Sequence, residues 1–291
     1  MNLGDQTGRT FVITGANSGI GLAAAKQLAA NGAKIVLAVR NTAKGEEAAN
    51  AIEGDTEVRA LDLADLASVR AFAQATTEPI DVLINNAGVM NVPFARTADG
   101  FEMQIGTNHL GHFALTNLLL PQITDRVVTV ASGAHHFGKI RLDDLNWEQG
   151  YKRHAAYGQA KLANLLFMAE LQRRLDEAGS PVRSVGAHPG WAATNLQTRS
   201  GNRVEDVLMV VGNRLIAQSG DMGAEPTLYA ATADIPGNSY AGPDGRFELR
   251  GHPTLVGRSK AATDTLTARR LWDLSEELTG VGFPRGVTAA V

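Results

Sequence analysis

The sequence predicts an α/β fold: a single doubly wound Rossmann-type domain over residues 1–291, with a largely parallel seven-stranded sheet and helices on both faces. Short continuous apolar runs alternate with longer amphipathic stretches through the first two thirds of the chain, as strands buried on both faces and their crossover helices require. The first such run ends in a glycine-rich turn that leads straight into a helical pattern. Glycine, at 31 of 291 residues, also exceeds its usual share of ~7%, so the placement of the glycines carries information.

Residues 10–14 (TFVIT) read as the first strand, and 19–31 as a helix with Ile20, Ala23, Ala24 and Leu28 on its apolar side, stopped by Gly32. Residues 34–39 form a second strand, 42–52 a second helix, 58–61 a third strand, and 66–76 a helix that Asp65 is placed to cap. Strands at 82–85, 127–131 and 182–187 follow, separated by helices at 101–120 and 155–178. Beyond Trp191 the pattern loosens, and residues 191–222 are expected to form a substrate lid containing an amphipathic stretch at 204–216. A helix at 223–232, a short last strand at 239–241 and a closing helix at 264–278 complete the domain, with a loose tail from Gly280.

Composition excludes several functions. Apolar residues at 44% and charged residues at 20% are enough for a sizeable core. A net charge of −3 provides neither a basic footprint for nucleic acid nor a polybasic membrane anchor. Without cysteine there is no disulfide, zinc-thiolate site or cysteine nucleophile, which suits a reducing cytoplasm. Residues 1–8 lack the apolar core of a signal peptide, and the longest apolar stretches fall short of the ~20 residues of a membrane span. A cytoplasmic protein with no membrane partner is expected. His109 with His112, and His135 with His136, lack the carboxylate or cysteine partners of a metal site, so no metal is expected.

The first strand runs into Thr14-Gly15-Ala16-Asn17-Ser18-Gly19-Ile20-Gly21. Glycines there permit a tight turn and close backbone approach, so that a pyrophosphate can rest on the free N–H groups of the following helix. The spacing is G-x3-G-x-G, which differs from the G-x-G-x-x-G of most dinucleotide folds.

This arrangement resembles the short-chain dehydrogenase/reductase family, and further matches follow in the family's order between about residues 10 and 194. Asp62-Leu63 follows the third strand, where the family holds the adenine ring. Asn85-Asn86-Ala87-Gly88 closes the fourth strand, Asn108 lies in the next helix, Ser132 ends the fifth strand, Tyr157-x-x-x-Lys161 opens the following helix, and Pro189-Gly190 follows the sixth. A Tyr-x-x-x-Lys arises by chance in roughly one chain in ten of this composition, so the weight rests on the whole constellation.

Tyr157 and Lys161 stand i, i+4 and share a helix face. A phenol with a pKa near ~10 is a poor proton carrier at neutral pH, and an adjacent ammonium together with an oxidised nicotinamide favours its phenolate. The resemblance implies that Tyr157 exchanges a proton with the substrate oxygen, Ser132 hydrogen-bonds that oxygen, Lys161 also holds the nicotinamide ribose, and Asn108 positions a water. It also places Gly15, Asn17, Ser18, Gly19, Ile20 and Gly21 on the pyrophosphate, Asn85, Ala87 and Gly88 along the adenosine side, and Pro189, Gly190 and Thr194 under the nicotinamide.

NAD-specific relatives carry an acid at the end of the second strand; here Val39-Arg40 takes that place, which suits the 2′-phosphate of NADP. Lys44 is near enough in sequence to assist. Ser132 and Tyr157 are 25 residues apart, about twice the family's common gap, and the insert's Ala134-His135-His136, with Lys161-Leu162-Ala163-Asn164 after it, resembles the retinol-dehydrogenase-like branch. Relatives in that branch often carry an N-terminal membrane anchor that this sequence does not display.

The expected activity is hydride transfer between NADP(H) and a small carbonyl or alcohol substrate. The family also implies a homodimer or homotetramer paired through helices 108–120 and 155–178, with Leu165, Phe167 and Met168 as apolar contact material. Two alternatives are a nucleotide-sugar epimerase or dehydratase, which needs a larger C-terminal domain, and a catalytically silent NADP-sensing regulator, which would not retain Asn108, Ser132, Tyr157 and Lys161 together.

Overall fold

The computed structural model describes residues 1–190 and 220–286. Strands β1 (Thr10–Thr14), β2 (Lys34–Val39), β3 (Thr56–Ala60), β4 (Ile80–Asn85), β5 (Ile123–Val130), β6 (Arg183–Ala187), β7 (Tyr240–Pro243) and β8 (Pro253–Leu255) form one sheet in the order β3-β2-β1-β4-β5-β6-β7-β8. Every pairing is parallel except β7–β8. The sheet therefore has eight strands where seven were expected. The extra strand is three residues long, opens on Pro253 and pairs at the edge, where a missing N–H costs no ladder bond.

Helices α1 (Gly19–Ala29), α2 (Thr42–Ala49), α3 (Leu66–Ala75), α4 (Met103–Ile105), α5 (Gly111–Leu119), α6 (Arg153–Glu177), α7 (Gly220–Thr232) and α8 (Thr265–Thr279) account for the helical patterns. Asp65 caps α3 through the N–H groups of Ala67 and Ser68, and Asp264 caps α8 in the same way. The expected lid falls outside the described residues except for 220–222, which are the first turn of α7. Thr194 and the stretch 204–216 also lie outside them.

Alternation along β1 divides the core. Phe11 and Ile13 pack with Ala24 and Leu28 of α1 and Leu228 of α7, while Val12 packs on the other face with Val36, Leu83 and the α5 residues Phe113 and Leu115. Each fully buried Val, Leu, Ile or Phe among them contributes about 1.5–3 kcal/mol. Trp272 of α8 lies 4.8 Å from Phe113 of α5 and 5.7 Å from Phe167 of α6, ring centroid to centroid. That cluster clamps the helix carrying Tyr157 and Lys161 against its neighbours.

Leu165, Phe167 and Met168 are buried within the chain's own core, so they are not available as contact material for a partner subunit. Among the described residues no helix is long and apolar enough to cross a membrane.

Candidate active site

The strand order reverses between β1 and β4, and the crevice beyond their C-terminal ends is where open α/β sheets bind ligands. The β1–α1 turn lies there. Gly15 and Gly19 hold φ of +68° and +57°, conformations costly for other residues. A Cβ on Gly15 would stand 3.0 Å from Ala87 Cβ, and one on Gly21 would stand 2.5 Å from Asn86 Nδ2 and 2.8 Å from Gly15 O. Ser18 makes no side-chain cap, and the first turn of α1 carries no acid. The helix thus presents open N–H groups beside a backbone cradle that side chains would fill, which fits a dinucleotide pyrophosphate.

A buried polar network joins this turn to the next site element. Thr14 Oγ1 accepts from the N–H groups of Asn86 and Ala87, each at 2.9 Å, and Asn86 Nδ2 donates to Thr14 O at 2.8 Å. His112 bridges Thr14 Oγ1 at 2.9 Å and the backbone carbonyl of Asn108 at 3.0 Å. A carbonyl only accepts, so Nδ1 carries the imidazole proton and Thr14 donates to Nε2. Burial holds His112 near a pKa of about 4, and the ring is neutral. Its i, i+4 spacing from Asn108 was the available signal for this role.

Asn108 sits in a π-helical turn, Gly106–Leu110, between α4 and α5. Such turns are frequent at functional sites. Its side chain pairs with Val89 on both sides, accepting from Val89 N at 2.7 Å and donating to Val89 O at 2.8 Å. A Cβ on Gly88 would meet Asn108 Oδ1 at 3.0 Å and Lys161 Nζ at 3.8 Å, so the three positions converge.

The insert braces the same turn. Tyr151 donates to Val92 O and accepts from Gln104 Nε2, each at 2.9 Å, and Asn146 Oδ1 accepts from Glu102 N at 2.9 Å. Glu102 is fully buried, and its carboxylate caps the N–H groups of Gln104 and Ile105.

Ser132 follows β5, and its hydroxyl is near enough to the half-buried Tyr157 to favour the phenolate. Lys161, only 4% exposed, donates to Val130 O at 3.1 Å, and its Nζ lies 5.7 Å from the Tyr157 ring centroid. Burial raises the Tyr157 pKa to about 12 against the pull of Ser132, and burial alone lowers Lys161 to about 8. This departs from the expectation that the ammonium brings the phenol down, because burial is the dominant effect on the phenol.

Asn85 also departs from expectation. Its side chain is 1% exposed and its amide donates to Thr116 at 2.8 Å, so it ties β4 to α5 and does not line the crevice. Asp62 is half-buried and accepts from Ala64 N, while Leu63 packs in the core with its carbonyl beneath Gly111, where a Cβ would stand 2.3 Å away. Arg40 and Lys44 are exposed beyond the end of β2. Pro189 and Gly190 follow β6, with Gly190 at φ +63°.

Known proteins resemble this chain in sequence and in fold. Residues 9–205 match the short chain dehydrogenase family. The chain is 42% identical over 289 residues to human retinol dehydrogenase 12, covering 94% of this chain and 87% of that protein. A crystal structure of an uncharacterised protein from Mycobacterium paratuberculosis is 55% identical and superposes with a TM-score of 0.86, covering 97% of each chain. A Beutenbergia cavernae structure described as an NAD(P)-dependent gluconate 5-dehydrogenase with bound NADP is 26% identical, with a TM-score of 0.57 over 78% of this chain and 91% of that one.

Proposed function

Because the chain belongs to the short-chain dehydrogenase/reductase family, in its retinol-dehydrogenase-like branch, we propose that it is an NADP(H)-dependent oxidoreductase interconverting a carbonyl and an alcohol, with Tyr157 as proton donor and acceptor. The reading rests on one arrangement: Tyr157 beside Ser132 and Lys161, with Asn108 and Gly88 converging on the same lysine. When bound, the nicotinamide supplies or takes up the hydride.

The protein's part is to orient and to move a proton. With its pKa raised to about 12, Tyr157 carries its proton at neutral pH and can hand it to the oxygen of a carbonyl as that oxygen gains negative charge. Ser132 holds the same oxygen. Lys161 is placed to hold the ribose and, by its charge, to favour the phenolate left behind. Gly15, Asn17, Ser18, Gly19, Ile20 and Gly21 would carry the pyrophosphate, Asp62, Leu63, Ala87 and Gly88 the adenosine side, and Pro189, Gly190 and Thr194 the nicotinamide.

NADP is favoured over NAD because Arg40, exposed at the end of β2 with no acid beside it in sequence, has no hydrogen-bond or ion-pair partner among the described residues. Arg40→Ala should weaken NADPH binding roughly ten- to a hundredfold, the loss of a charged hydrogen bond, while NADH binding changes little. Fluorescence titration with both cofactors checks this, and a wild type that prefers NADH overturns it.

The activity itself is tested by following the nicotinamide absorbance band with NADPH and a panel of aldehydes and ketones that includes retinal, and with NADP and the matching alcohols. NADPH binding without turnover of any of them would favour a silent regulator. A homodimer or homotetramer is also expected; light scattering at micromolar concentration that finds a monomer would count against it.

A further inference from the structure

His188 joins β6 to the Pro189–Gly190 turn and is 3% exposed. Its Nδ1 accepts from Gly190 N–H at 3.3 Å, and its Nε2 lies 3.0 Å from Glu248 Oε2. A backbone N–H only donates, so Nδ1 holds the lone pair and the single proton of the neutral ring sits on Nε2, directed at the carboxylate. Burial keeps the ring neutral by lowering its pKa to about 4. Tyr240 packs on the imidazole at 5.2 Å between centroids, and a Cβ on Gly242 would fall 2.1 Å from Nε2, so the ring is confined on several sides.

The loop between β7 and β8 delivers Glu248. Phe247 and Glu248 hold φ of 56° and 55°, two successive non-glycine residues in the left-handed region. Phe247 is 76% exposed, so burial of its side chain does not hold the bend. The loop lies directly on the turn: a Cβ on Gly190 would stand 2.5 Å from Leu249 O and 2.8 Å from Pro243 Cγ. An unfavourable backbone maintained at a loop tip points to a task for the residue it presents.

We propose that Glu248 is a positioning residue that fixes the tautomer and orientation of His188, which in turn fixes the Gly190 backbone and so the nicotinamide half of the bound dinucleotide. The proposal rests on the dinucleotide reading above. It assigns a use to the strained loop, to the buried histidine and to the edge strand β8, which closes the loop. Glu248 lies 60 residues from His188 in sequence.

The test compares two ligands, NADPH and 2′,5′-ADP, which shares only the adenosine end, by titration of folded protein. NADH and ADP take their places should the wild type prefer NADH. Glu248→Ala should weaken NADPH about tenfold and leave 2′,5′-ADP within twofold. Glu248→Gln, whose amide oxygen still accepts the Nε2 proton, should restore NADPH to within about threefold of wild type. Should the alanine variant fail to fold, Glu248→Gly removes the carboxylate with a residue at ease in the left-handed region and should give the same split. Unchanged NADPH affinity, equal loss of both ligands, or a glutamine no better than alanine would each overturn the proposal. A wild type that binds neither ligand overturns the dinucleotide reading with it, whereas normal wild-type binding with no split in the variants overturns this proposal alone.

Discussion

Tyr157→Phe should bind NADPH as tightly as the wild type and lose 10² to 10⁴ in turnover, the usual worth of a positioned proton donor. Binding and turnover separate because the phenylalanine ring keeps the packing while only the oxygen that carries the proton disappears. Burial raises Tyr157 to about 12, so the wild type enters the reaction as the protonated phenol and the variant has nothing to donate. Ser132 keeps its contact with Ala134 N–H and can still orient the substrate oxygen, so some residual rate should persist. A tyrosine that served structure alone would instead lower stability and spare turnover in the folded fraction. Stopped-flow hydride transfer with saturating NADPH distinguishes these outcomes. Turnover within about threefold of wild type would remove Tyr157 as the acid.

The parts of the fold legible in the sequence are those written in local periodicity. The buried runs of β1 and β2, the glycine turn after β1 and the cap at Asp65 each depend on residues close in the chain, and they stand within a few residues of where the pattern puts them. Strand β8 was not legible because three residues opening on proline carry no alternation to detect. The helical pattern over 101–120 hid a π turn, since one extra residue per turn barely disturbs an apolar period in a helix buried nearly all round.

Side-chain direction was the other limit. Asn85 and Asn86 are neighbours of one residue type, yet the pleat sends Asn85 into the core toward Thr116 and Asn86 back to the β1 turn. Leu165, Phe167 and Met168 looked like interface material because a sequence cannot tell a helix buried by its own chain from one buried by a partner. The Glu248–His188 pair joins positions far apart in sequence and leaves no local trace.

Lys161→Met should abolish most turnover, weaken NADPH binding and at the same time make the ligand-free protein more stable at pH 7. Burial lowers the Lys161 pKa from 10.5 to about 8, so the fold carries a charge it would rather release. A shift of that size corresponds to about 3 kcal/mol at most. Loss of the ammonium leaves no orphan behind, because Asn164 Nδ2 also donates to Val130 O at 3.1 Å. A net gain of about 1–2 kcal/mol should raise the midpoint of thermal unfolding by roughly 2–6 °C. The pH dependence fixes the cause. Between pH 8 and 10.5 the folded wild type holds less of this proton than the unfolded chain, so wild-type stability rises with pH through that window relative to the variant. The variant's advantage should therefore be full below pH 8, shrink above it and vanish past 10.5. Calorimetric scans of both proteins across this range decide the point: a variant less stable at pH 7, or an advantage that does not change with pH, would mean that the ammonium is not a charge the fold pays to bury.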